Sequence, residues 1–194
     1  KQYFVLQKHN KNIKIIGLPI MYPIKSHASG FSLFELIVVI AIIGIISAIA
    51  LPHFQQYLAQ QEAKRIRYLL QYSINLAKSQ ALTYRANIVI CPSADLQQCQ
   101  NNQWNSGFII FIDHNRNRSL DSGESIVLTE KTRLKYGNLE WKGALSLPSL
   151  RFNAQQGLPL GSNGSFYYCS GFTPNQRIFL SNRGFLRTEF PNSC

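Results

Sequence analysis

Glu35 is the one charge in a stretch that otherwise carries none: sixteen uncharged residues follow it, Leu36 to Leu51, before Pro52. Phe31 to Leu51 is twenty-one residues, and about 20 apolar residues at ~1.5 Å rise cross a bilayer core. A carboxylate inside such a span costs about 2.5–3.5 kcal/mol at the bilayer centre. It therefore either snorkels from a helix end to the interface or meets a cationic partner. Guanidinium groups offer a second chemistry. Arg177 to Arg187 reads as a strand, a tight turn and a strand, with Arg183 at the turn and Arg187 on the returning strand. Exposed guanidiniums can contact phosphates, which carry most non-specific affinity for nucleic acid. Arg177 is a third candidate contact. Phe185, between them, either packs inward or stacks on a base. The plainer reading is a solvated hairpin whose charges blunt an edge strand.

Asp113 to Glu124 is twelve residues long and places oxygen-bearing side chains at positions 1, 3, 5, 7, 9 and 12, the spacing of a calcium-binding helix–loop–helix. Arg118 stands at position 6, where that loop needs Gly, and Arg116 and Arg118 repel a cation. The flanks look like strands. The segment therefore reads as a polar hairpin loop whose Asn and Asp side chains bond their own backbone, and no metal or cofactor is assigned. Catalysis finds no support. The only histidines after Phe31 are His53 and His114, neither within a nucleophile motif, and no paired carboxylates share a recognisable element.

Four cysteines, Cys91, Cys99, Cys169 and Cys194, follow the apolar span. Four allow three pairings. Cys91 with Cys99 closes a short loop, and Cys169 with Cys194 ties down the C-terminal residues; these are the expected disulfides. Zinc is the competing reading, weakened by the lack of any CxxC pair and by the isolation of His114. The chain carries 20 Lys and Arg against 9 Asp and Glu, a net +11. Five of the basic residues and none of the acidic ones precede Phe31, so residues 31–194 keep a net +6. That charge attracts anionic partners without naming one.

The elements that position these groups follow from periodicity. After Pro52, Ile66, Leu69, Leu70, Ile74, Ala77 and Ala81 recur at helical spacing, with Lys64, Arg65, Gln71 and Lys78 between them. The apolar helix thus continues as an amphipathic one to about Leu82, roughly 75 Å of helix in all. Strands are expected at 86–90, 107–112, 125–129, 150–152, 165–169, 177–180 and 185–187, punctuated by Gly, Asn and Pro. Adjacent strands imply antiparallel sheets packed on one helix, an α+β fold. The expected organisation is a leader over 1–30, the membrane half of the helix over 31–52, its amphipathic half over 53–82 and a β-rich domain over 83–194. Met21 is the only Met and reads as the translation start, with residues 1–20 an upstream extension. Lys25 ahead of the span favours an N-terminus inside the cytoplasm.

Gly30-Phe31-Ser32-Leu33-Phe34-Glu35 and the apolar run after it resemble the prepilin signature of type IV pilins and type II secretion pseudopilins. The resemblance implies that a prepilin peptidase cuts after Gly30, that the new Phe31 amine is N-methylated, and that Glu35 pairs with the terminal amine of a neighbouring subunit. Pro52 falls where that family bends its helix. The segment Trp104 to Asp113, with Asn115, Asn117, Asp121, Gly123 and Glu124, is similar to the GspH/FimT branch. This implies a minor subunit anchored once in the bacterial inner membrane, its C-terminal domain periplasmic, assembling with other pilins or pseudopilins. FimT-like members that bind double-stranded DNA for transformation carry a Gly-Arg-x-Arg motif near the C-terminus. Here Gly184 and Arg187 match it, Phe185 replaces its first Arg, and Arg183 stands one position before the Gly. Two functions follow: a minor pilin that takes part in DNA uptake, or a structural GspH-type pseudopilin that touches protein and not DNA.

Overall fold

The computed structural model describes residues 30–194; the leader up to residue 29, with the start at Met21, lies outside the described residues. The described residues divide into two units at Ile43/Gly44. Helix α1 spans Leu33–Tyr84. Ser32 caps it, its Oγ accepting the Glu35 N–H at 3.2 Å. A Ser with an acidic residue three positions later is the signature of a capping box. Pro52 sits inside the helix and gives no N–H to the carbonyl of Ala48. The helix ends as Arg85 turns left-handed, φ 50°, a common stop signal.

Ala63, Ile66, Leu70, Ile74, Ala77 and Ala81 of α1 are buried in the main core, and Leu69 is half-buried. They pack on two four-stranded antiparallel sheets. The first has the order β3-β2-β1-β5, from β1 (Asn87–Pro92), β2 (Gly107–Asp113), β3 (Ile126–Lys131) and β5 (Leu150–Phe152). The second has the order β4-β6-β7-β8, from β4 (Gly137–Gly143), β6 (Gly164–Ser170), β7 (Gln176–Leu180) and β8 (Leu186–Glu189). Strand β4 is absent from the sequence-based expectation. Leu139 and Trp141 alternate with Asn138, Glu140 and Lys142, a period-two pattern carried by only two apolar residues and diluted by Asn and terminal Gly.

All of β2 is buried. One face joins the helix-facing core; Val89, Cys91, Ile109 and Phe111 on the other pack beneath Leu96, Cys99 and Leu120. Two loops therefore roof this sheet. Cys91 and Cys99 are disulfide-bonded and pin the first. Asp95 orders it by accepting the N–H groups of Gln97 at 2.9 Å and Gln98 at 3.2 Å.

Glu62 interrupts the apolar stripe of α1 and is 9% exposed. Its carboxylate accepts the N–H groups of Lys135 (2.7 Å), Tyr136 (3.0 Å) and Gly137 (3.1 Å), and the buried Tyr168 hydroxyl donates to it at 2.8 Å. Leu139 N–H donates to Asn105 Oδ1 at 2.6 Å. Side chains thus occupy the N–H groups of Gly137 and Leu139 on β4, whose outer edge has no strand partner among the described residues, and that suppresses edge-to-edge pairing. Burial first, and the Glu62 carboxylate second, push the Tyr168 phenol well above its ordinary value of 10.

Candidate functional site

Gly30 and Phe31 precede α1, and Phe31 is 84% exposed. A Cβ on Gly30 would meet nothing within 4 Å, so packing among the described residues does not call for glycine there. Glu35 lies in the first turn of α1, where a carboxylate complements the helix dipole. Large apolar residues from Leu33 onward face outward, Phe54 and Tyr57 included. Among the described residues α1 is long and apolar enough to cross a membrane.

The Asp113–Glu124 loop uses most of its side-chain oxygens internally; Asp113 Oδ2 accepts the Arg118 N–H at 3.3 Å, and Asp113 Oδ1 is buried without a hydrogen-bond partner among the described residues. Glu124 accepts the N–H groups of His114 (2.8 Å) and Asp121 (3.2 Å). Asp121 Oδ2 accepts the amides of Asn115 (2.8 Å) and Asn117 (2.6 Å), which hold its carboxyl below the usual range. Arg118 takes the left-handed conformation, φ 65°, at the position where a calcium loop has Gly. Its guanidinium leaves the loop to donate to the Ser149 carbonyl at 3.0 Å and Ser162 Oγ at 3.1 Å.

Cys169 on β6 is bonded to Cys194, so the chain after β8 crosses back towards β6. The arginine hairpin is β7, the turn 181–185 and β8. Ser181 closes the turn: its carbonyl accepts the Gly184 N–H at 2.8 Å and its Oγ the Phe185 N–H at 3.1 Å. Gly184 has φ 73°, and a Cβ there would stand 3.1–3.3 Å from the Lys78 side chain. Lys78 of α1 reaches the turn, its Nζ 3.4 Å from the Gly184 carbonyl and 5.9 Å from the Phe185 ring centre. Arg183 is exposed, and Phe185 is 70% exposed rather than packed inward. Arg187 is exposed and pairs with Glu189 at 3.1 Å. Arg177 lies apart from the turn; it donates to Ser165 Oγ at 2.9 Å and pairs with Glu189 at 3.4 Å. Lys78 was missed from sequence because nothing in a helical spacing announces contact with a hairpin more than a hundred residues later.

The family model for the type II transport protein GspH matches residues 69–184. The chain belongs to the GspH family. A second model, the prokaryotic N-terminal methylation motif, matches residues 25–51. The type IV major fimbrial protein FimA of Dichelobacter nodosus is 50% identical over 42 residues, 22% of this chain and 27% of that protein. The fimbrial protein EcpB of Eikenella corrodens is 42% identical over 66 residues, 34% of this chain and 41% of that one. The chain thus spans about a quarter to two-fifths of the length of these relatives. The crystal structure of the type IV minor pilin FimU of Pseudomonas aeruginosa matches with a TM-score of 0.51 at 20% identity, covering 70% of this chain and 96% of that one. At that identity the likeness shows a shared fold: a long N-terminal helix on antiparallel sheets.

Proposed function

We propose that this GspH-family chain is a minor subunit of a type IV pilus-like filament, cleaved between Gly30 and Phe31 by a prepilin peptidase and methylated on Phe31. The observation that carries this reading is the exposed apolar length of α1 headed by Gly30-Phe31 and a single carboxylate. Such a surface needs a bilayer before assembly and neighbouring helices afterwards. Glu35 then neutralises a neighbour's terminal amine, and Pro52 adjusts the helix path. The helix is single-pass, with its N-terminus cytoplasmic and residues 83–194 periplasmic. The N-terminal likeness to fimbrial proteins of Dichelobacter and Eikenella supports assembly into a filament, a property that pilins and pseudopilins share.

The hairpin adds a second role, weak sequence-independent contact with double-stranded DNA through Arg183 and Arg187. Lys78 joins them at the turn, and Arg177 lies behind. A low-salt gel-shift titration of the full-length chain in non-ionic detergent tests it. Arg183→Ala with Arg187→Ala should weaken duplex binding uniformly across sequences with little change in stability, because exposed pairs contribute little. No shift, or an unchanged shift in the double variant, favours the structural pseudopilin that the family model's description names.

A further inference from the structure

The second sheet turns Leu139, Trp141, Phe166, Tyr168, Ile178 and Leu180 to the core. Side chains alternate along a strand, so the intervening residues form its other face, which the C-terminal residues cross at the Cys169 end through the Cys169–Cys194 bond. Register aligns them in two rows across all four strands. One row is Lys142, Ser165, Phe179 and Arg187; the other is Glu140, Tyr167, Arg177 and Glu189. Tyr167 and Phe179 are diagonal neighbours, within reach of each other across adjacent strands. The Arg177 guanidinium lies 5.9 Å from the Tyr167 ring centre and 5.7 Å from that of Phe179, held there by Ser165 Oγ at 2.9 Å. Lys142 Nζ lies 4.8 Å from Tyr167. Both rings remain partly exposed.

We propose that this face is a platform for single-stranded nucleic acid, with bases stacking on Tyr167 and Phe179 and phosphates meeting Lys142, Arg177 and Arg187. It rests on the nucleic-acid reading above for the class of polymer and shares Arg177 and Arg187 with it; Tyr167, Phe179 and Lys142 are its own. Two flat rings with a fixed guanidinium between them suit unpaired bases, which stack on aromatic and guanidinium planes alike. A duplex hides its base faces and gains only the cations. The acids do not close the face. Glu140 is 3.4 Å from Lys142, and Glu189 pairs with both Arg177 and Arg187. The Glu140–Lys142 pair and Arg187 are exposed, and phosphates can displace those pairs at small cost; Arg177 and Glu189 are half-buried, so phosphate reaches that pair from its exposed side.

The test is fluorescence anisotropy with the full-length chain in non-ionic detergent, using a 20-nucleotide oligo-dT and a mixed-sequence duplex of about 20 base pairs, sizes set to exceed one stacking site. Replacing both Tyr167 and Phe179 with Leu keeps apolar area but removes the rings. It should weaken oligo-dT binding about tenfold or more and change duplex affinity less than about twofold, since phosphate contacts alone remain. Glu189→Gln, which frees two guanidiniums, should tighten oligo-dT binding severalfold; Glu130→Gln, the same charge change on β3, should not. No binding of oligo-dT, equal losses on both polymers, or no gain in Glu189→Gln would overturn the platform. Failure of the hairpin is read separately, in the duplex titration of Arg183→Ala, a residue the platform does not use.

Discussion

Removing the Glu62 carboxylate should be among the most damaging single changes in the β-rich part of the chain. Glu62→Ala strands the N–H groups of Lys135, Tyr136 and Gly137 and the Tyr168 hydroxyl. A buried donor left without a partner costs about 1–3 kcal/mol. Four at the low end, with water partly filling the space, sum to about 3–5 kcal/mol, a large part of a typical domain's stability. Glu62→Gln keeps one acceptor oxygen but turns an NH2 towards the donors, so about 2 kcal/mol is expected. Tyr168→Phe removes one partner and should cost about 1 kcal/mol. Because Glu62 and Tyr168 touch, the double variant should be non-additive, with a coupling of about 1 kcal/mol. Urea unfolding followed by the fluorescence of Trp104 and Trp141, both in the core, measures the parent protein and the four variants. A loss below about 1 kcal/mol for Glu62→Ala, or full additivity in the cycle, would refute the reasoning.

The same contact sets an alkaline limb. The folded phenol of Tyr168 is raised above 10 by burial and then by Glu62. Its contribution is therefore complete below pH 10 and lost as the pH rises towards the folded value. In Glu62→Gln the tyrosinate absorbance assigned to Tyr168 should appear at lower pH; an unmoved titration would contradict the contact. Serine replacement of Cys169 and Cys194, 25 residues apart, should cost about 3.5 kcal/mol on the loop-entropy scale, against about 2.5 kcal/mol for Cys91 and Cys99, 8 apart. Thermal melts with and without reductant check that order. Glu35→Ala should stay in the membrane fraction yet be missing from sheared filaments, because a terminal amine left unpaired in an apolar core is costly. Normal incorporation would leave Glu35 with only its place in the helix cap.

What was legible in sequence followed the strength of the periodic signals. The apolar run with Glu35 and the stripe from Ile66 to Ala81 placed α1 almost to its end at Tyr84, and seven strands came from apolar or aromatic clusters bounded by turn residues. Strand β4 escaped because two apolar residues carry its whole pattern. Glu62 escaped for a related reason: on a helix, a lone carboxylate beside Ala63 looks like a solvated neighbour of the stripe, and its partners at 135–137 and Tyr168 lie over seventy residues away. The run Gly107 to Ile112 read as a strand, but what roofs its second face did not, because a loop that packs by Leu96 and Leu120 has no period of its own. On the hairpin the arginines were legible; Lys78 beneath the turn and Glu189 between Arg177 and Arg187 depend on register that only the fold supplies.

The central claim, that this chain is a processed filament subunit, is tested most directly by the intact mass and N-terminal peptide of the protein recovered from sheared surface filaments. The account predicts a chain that begins at N-methylated Phe31 and keeps two disulfides. A filament fraction without the chain, or a chain that begins elsewhere or carries an unmodified Phe31, would contradict it.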